Sequence, residues 1–124
     1  MPAVSRIPKE LKQYRDIDGF ALFFGRIDEY KGVDRLVKAQ EANCKDLNYN
    51  LPVIIAGNNL SNQDYVTSDE KKMICLLRFI EDGEMIWLFE HCGVVVLPYY
   101  EASQSGVLPI AYKYGKPVIV SNID

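Results

Sequence analysis

Histidine is nearly missing from this chain. The single one, His91, excludes a metal site built from several histidines. Cysteine is scarce too: Cys44, Cys75 and Cys92 are odd in number and show no Cys-x-x-Cys spacing. Neither a disulfide frame nor a zinc site is indicated, and a reduced, cytoplasmic protein is expected. No apolar run approaches the roughly 20 residues that span a bilayer, and the opening MPAVSRIPKELK lacks the apolar stretch of a secretory signal. Basic excess is absent as well: the net charge of -3 gives no footprint for nucleic acid. Internal repeats and low-complexity stretches are also lacking. What is present is an ordinary globular composition, 48% hydrophobic and 25% charged over 124 residues, enough for one modest core.

The polar residues 1–18 carry two prolines and read as a lead-in or linker rather than core, which leaves 19–124 as the domain. Phe20-Ala21-Leu22-Phe23-Phe24, ending at Gly25, is apolar on both faces and suits a strand of a covered parallel sheet. Over 33–44 the residues Val33, Leu36, Val37 and Gln40 share one helix face, opposite Asp34, Arg35, Lys38 and Glu41. A second strand, 51–56, closes at Gly57-Asn58. Residues 58–71 read as loop with at most one helical turn. MICLLRFI, 73–80, reads as a third strand. A short helix over 84–91 follows, with Asp82 as N-cap, Met85, Leu88 and Phe89 inward, and His91 at its end. GVVVL, 93–97, is a fourth strand. A helix then runs from near Ser103 to Tyr114, with Gly115 as its left-handed cap, before a fifth strand, PVIV. Strands alternating with helices over short loops predict an α/β fold with a doubly wound parallel sheet. The sequence stops directly after its last strand. That edge would lack its covering helix, so a domain cut short at its C-terminal end is expected.

Ligands of open α/β sheets sit at the carboxyl ends of the strands. Three stretches there carry a resemblance: F-F-G-R-I-D-E-Y-K-G-V-D-R-L-V-K-A at 23–39, I-E-D-G-E-M-I-W-L-F-E-H-C-G-V-V-V-L-P-Y at 80–99, and S-Q-S-G-V-L-P-I-A-Y-K-Y-G-K-P-V-I-V-S at 103–121. In order and spacing they resemble retaining family 4 glycosyltransferases. The resemblance implies the Rossmann-like C-terminal half of a GT-B fold, which binds a UDP- or GDP-sugar with no obligatory metal or other cofactor. Its partners would be that donor and a glycan or lipid-linked acceptor held by a separate N-terminal half. No transmembrane segment is implied, although the whole protein could touch a membrane peripherally.

The chemistry of the residues agrees. Arg26 and Lys31 flank a strand-to-helix turn and could grip one diphosphate, the first as a planar fork and the second as a point charge. As the glycosidic bond breaks, that pair would stabilise the charge gathering on the leaving group. The amides around Ser105, Gly106 and Val107 could cradle a phosphate or sugar hydroxyl. Gly25 opens the first turn, and Asn58 reads either as a left-handed turn residue or as a ligand. The base is expected near Phe79, Ile80 and Glu81. Trp87, Tyr99 and Tyr100 read as packing, with the last two beside the cleft, and the cysteines as small apolar residues. Many members of the resembled family carry two glutamates eight residues apart, which contact donor sugar and ribose. The matching positions here are Ala102 and Ile110. Glu101, one residue earlier, stands in for the first, and nothing replaces the second. A catalytically silent relative, or a non-enzymatic α/β signalling module such as a receiver domain, are the competing readings. A receiver requires acidic residues where Arg26 stands.

Overall fold

The computed structural model describes residues 3–14, 17–28, 32–97 and 106–120. Five strands, Ala21–Phe24 (β1), Val53–Ala56 (β2), Met73–Leu76 (β3), Val94–Leu97 (β4) and Val118–Val120 (β5), form one sheet of order β3-β2-β1-β4-β5. Every neighbouring pair is parallel. The helices are Val33–Asn43 (α1), Asp82–His91 (α2) and Val107–Lys113 (α3). This is the doubly wound, Rossmann-like α/β sheet that the alternation predicts.

Both faces of the sheet are covered because neighbouring residues of each strand point to opposite sides. Phe20, Leu22, Ile54 and Ile74 face Leu88 and Phe89 of α2 and Ala111 of α3. Ala21, Phe23, Val53 and Ile55 face Val33, Leu36 and Val37 of α1. Gln40, buried in the middle of α1, donates from Nε2 to the carbonyls of Leu51 (2.9 Å) and Lys71 (3.0 Å), which pins the helix to the turn before β3. At the end of α3, Gly115 has φ +67°. Its N–H reaches the Tyr112 carbonyl (3.0 Å), and that of Lys116 reaches Ala111 (2.9 Å). The expected left-handed cap is therefore a complete Schellman motif. His91 ends α2, stacked on Trp87 with ring centroids 4.1 Å apart. Cys92 is buried, and Cys44 and Cys75 are half-buried, all unbridged. Tyr99 and Tyr100 lie outside the described residues.

Three local expectations are corrected, and the loop over 58–71 is found as expected. The strand predicted over 73–80 ends at Leu76, because the N–H of Arg78 turns back to the Leu76 carbonyl (3.0 Å) and leaves the ladder. The N-cap of α2 is Glu81 rather than Asp82: the Glu84 carboxylate accepts the Glu81 N–H at 3.0 Å, as in a capping box. Residues 58–71 are the expected loop and do not form a helical turn. Instead they carry isolated bridges, Ile27 to Asn59 and Ser68 to Met73. Finally, the lead-in is packed. Leu11, in a 3-10 turn over Lys9–Leu11, is fully buried in the core with Ile7, Tyr14 and Ile17 against it. The N–H of Arg6 bonds the Gly83 carbonyl (3.0 Å). The approach is so close that a Cβ on Gly83 would lie 2.4 Å from the Val4 oxygen.

Candidate functional site

The carboxyl ends of β1 and β2 are shaped by two glycines. Gly25 has φ +140° and Gly57 φ +147°, and a Cβ on Gly57 would lie 1.8 Å from the Gly25 oxygen. Only glycine permits this approach. It lets the backbones continue pairing past the ladder: Ile27 N–H to Asn58 carbonyl (2.9 Å) and Leu60 N–H to Ile27 carbonyl (2.8 Å). Positive φ falls on Gly57, so Asn58 is not the left-handed turn residue.

Between these turns and the segment after β3 lies a cavity of about 220 Å3. Gly25, Arg26, Asn58, Phe79 and Ile80 line it, five of the residues expected at a donor site, together with Leu60 and Arg78, which sequence reasoning missed. Leu60 sits in a polar loop without periodicity. Arg78 lies inside an apolar run that reads as strand. The rim is apolar and open: Phe79 is 69% and Leu60 60% exposed, while Ile80 is buried. A larger cavity of about 390 Å3 lies at the opposite, amino ends of β2 and β3, among Tyr14, Asp18, Asn50 and Asp69. Open parallel sheets take ligands at their carboxyl ends, so the smaller cavity is the candidate site.

The two arginines of this cavity differ. Arg26 points mostly into solvent, with Asp28 3.6 Å from its Nε. Arg78 is half-buried and donates to both Glu10 and Glu84. The guanidinium, hydrogen-bonded to Glu10, holds that carboxyl down to about 2 against the opposing effect of burial, and it lowers Glu84 too. Arg26 is thus a cation a ligand can reach, whereas Arg78 is already matched. Glu81 lies apart from the cavity, its carboxylate paired with Arg6. Gly106 caps α3 and Val107 packs partly on the core. Lys31, Glu101 and Ser105 lie outside the described residues. Among the described residues, no group of His, Cys, Asp and Glu side chains could hold a metal ion, and no helix is long and apolar enough to cross a membrane.

Fold and cavity together define a Rossmann-like domain with two glycine turns at the carboxyl edge of its sheet. The chain belongs to the glycosyl transferases group 1 family, whose model matches residues 8–124. This excludes the signalling-module reading. Two curated proteins, both GDP-mannose:glycolipid 4-beta-D-mannosyltransferases of Xanthomonas campestris pv. campestris, are 27% and 26% identical to it over 114 residues. Each alignment covers 88% of this chain and 32% of the relative, so the chain spans about a third of the length of the relatives it matches. No solved structure matches it.

Proposed function

We propose that this chain is the donor-binding part of a GT-B glycosyltransferase. In this reading the base of a nucleoside diphosphate sugar lies against Phe79 and Leu60, its diphosphate meets Arg26 and Lys31, and its sugar lies toward Glu101 and the amides of Ser105, Gly106 and Val107. A separate half would bring a glycolipid acceptor. The observation that carries the proposal is the joining of an open apolar rim and a solvent-facing arginine in one cavity at the strand ends. Bond breaking leaves charge on the diphosphate, and the Arg26 guanidinium, presented from the fixed turn after β1, stabilises that charge more in the transition state than in the bound donor. The donor class is guanosine diphosphate sugar ahead of uridine diphosphate sugar, because the relatives are named for GDP-mannose. No metal takes part in this scheme.

The resemblance implies transfer with retention. The relatives are named for a β-linked product, and from an α-linked donor a β product is inversion, so this second stereochemical reading has its own support. The anomeric configuration of the product, read by NMR, decides between them. Ile110, at the position of the absent second glutamate, packs against the core. Ribose is therefore held without that carboxylate, or the protein is silent; an assay of the longer protein for sugar transfer separates these outcomes. For the chain itself, GDP, UDP and ADP are titrated at millimolar concentration while amide resonances are followed. Shifts centred on Arg26, Asn58 and Phe79, strongest with GDP and without sugar transfer, are expected. Undisturbed resonances with all three nucleotides would overturn the site.

A further inference from the structure

The residues on the base side of the cavity are fastened to the chain that enters the domain. Arg78 donates from Nε to Glu10 Oε2 (2.8 Å) and from Nη2 to Glu10 Oε1 (2.8 Å). It also donates from Nη2 to Glu84 Oε2 (2.6 Å), from Nη1 to Glu84 Oε1 (2.9 Å), and from Nη1 to the Phe79 carbonyl (2.9 Å). A guanidinium has five N–H donors in a rigid plane, and all five are used. One side of the fork is held by Glu84, buried in the first turn of α2. The other is held by Glu10, whose neighbour Leu11 is fully buried and anchors the lead-in. The fifth bond fixes the backbone of Phe79, whose own ring is mostly exposed and so gains little positioning from packing.

The geometry points to Glu10 and Arg78 as positioning residues that set the Phe79 platform for the nucleobase, so that the lead-in segment tunes nucleoside affinity. This rests on the donor-site reading above. The residues on either side of Arg26 are held by other bonds, the Gly25 N–H to the Ala56 carbonyl of β2 (2.9 Å) and the Ile27 N–H to the Asn58 carbonyl (2.9 Å), so the diphosphate side does not depend on the clamp. Glu10→Gln tests it with little risk to folding, because the Glu10 side chain is about a third exposed and the change conserves shape. Arg78→Lys is the second variant, keeping charge but losing the planar fork.

Guanosine, GDP and inorganic pyrophosphate are titrated into parent and variants, and amide hydrogen exchange is measured without ligand. Coupling through such a network is worth a modest factor, so affinity for guanosine and GDP is expected to fall about threefold to tenfold with pyrophosphate unchanged. Exchange at Phe79 and Ile80 is expected to rise in both variants. An unchanged guanosine affinity in Glu10→Gln overturns the proposal, as does an equal loss for pyrophosphate, which signals general loosening. If the parent binds neither guanosine nor pyrophosphate, the donor-site reading fails by itself. The clamp then stands or falls on exchange at Phe79 and Ile80, with unchanged exchange in Glu10→Gln overturning it.

Discussion

The turn after β1 and the turn after β3 each bring an arginine to the same cavity, by opposite means. After β1, the backbone is fixed by paired glycines while the Arg26 side chain stays 67% exposed, paired among the described residues with Asp28 at 3.6 Å. After β3, the side chain of Arg78 is fixed and in turn secures the backbone. On the proposed donor-site reading, the cation that meets the ligand is presented by rigid backbone. A cation that shapes the pocket is spent on its own carboxylates. Two residues of one type at one site therefore answer different tests.

The sharpest break is Gly57→Ala. The new methyl meets the Gly25 oxygen at a positive φ, so steric overpacking adds to backbone strain, and a loss of about 2–5 kcal/mol is expected in chemical denaturation. A loss below about 1 kcal/mol would mean the two turns are not locked together. Arg78→Ala should cost about 2–3 kcal/mol, because it leaves the buried Glu84 without its partner. It should also flatten the acid limb of stability. The clamp lowers both Glu10 and Glu84 below their unfolded values, so the stability it contributes is complete above about pH 4.5 and is lost as pH falls toward about 2. The pH dependence of unfolding in parent and variant checks this.

Arg26→Ala should leave the melting temperature in place yet weaken GDP binding about tenfold to a hundredfold, the size of a charge-assisted contact of about 1.5–3 kcal/mol. Calorimetric titration decides it, and equal binding by the variant would remove Arg26 from the site. The smallest effect is expected far from both turns. Lys72 holds φ +51°, and Lys72→Gly should raise stability by less than about 1 kcal/mol as left-handed strain is relieved against greater chain entropy. A loss of stability in the same unfolding assay would contradict it.

Much of this was legible from the sequence. Continuous apolar runs mark strands buried on both faces, and glycines at their ends mark the turns, so Gly25, Arg26, Asn58, Phe79 and Ile80 fall together as expected. The failures share a cause. MICLLRFI looks like one strand because its apolar character does not show that Arg78 bonds Glu10, distant in sequence. Leu11 stands three or four residues from Ile7 and Tyr14, but the polar residues and prolines around them read as linker and hide that spacing. Glu81 rather than Asp82 caps α2 because the choice depends on where Glu84 points, which only the folded backbone determines.

The strand order also constrains how the chain assembles. With every neighbour parallel, no pair closes through a tight hairpin, and each pairing must wait for a crossover. Central β1 can take β2 after one helix, but it receives β4 only when β2, β3 and α2 have been passed. Until then its second edge offers the unpaired amides of Ala21–Phe24, among the most apolar residues of the molecule. The strand that later carries Arg26 to the cavity is thus the one most exposed to mispairing during synthesis, and β4 acts as its protection.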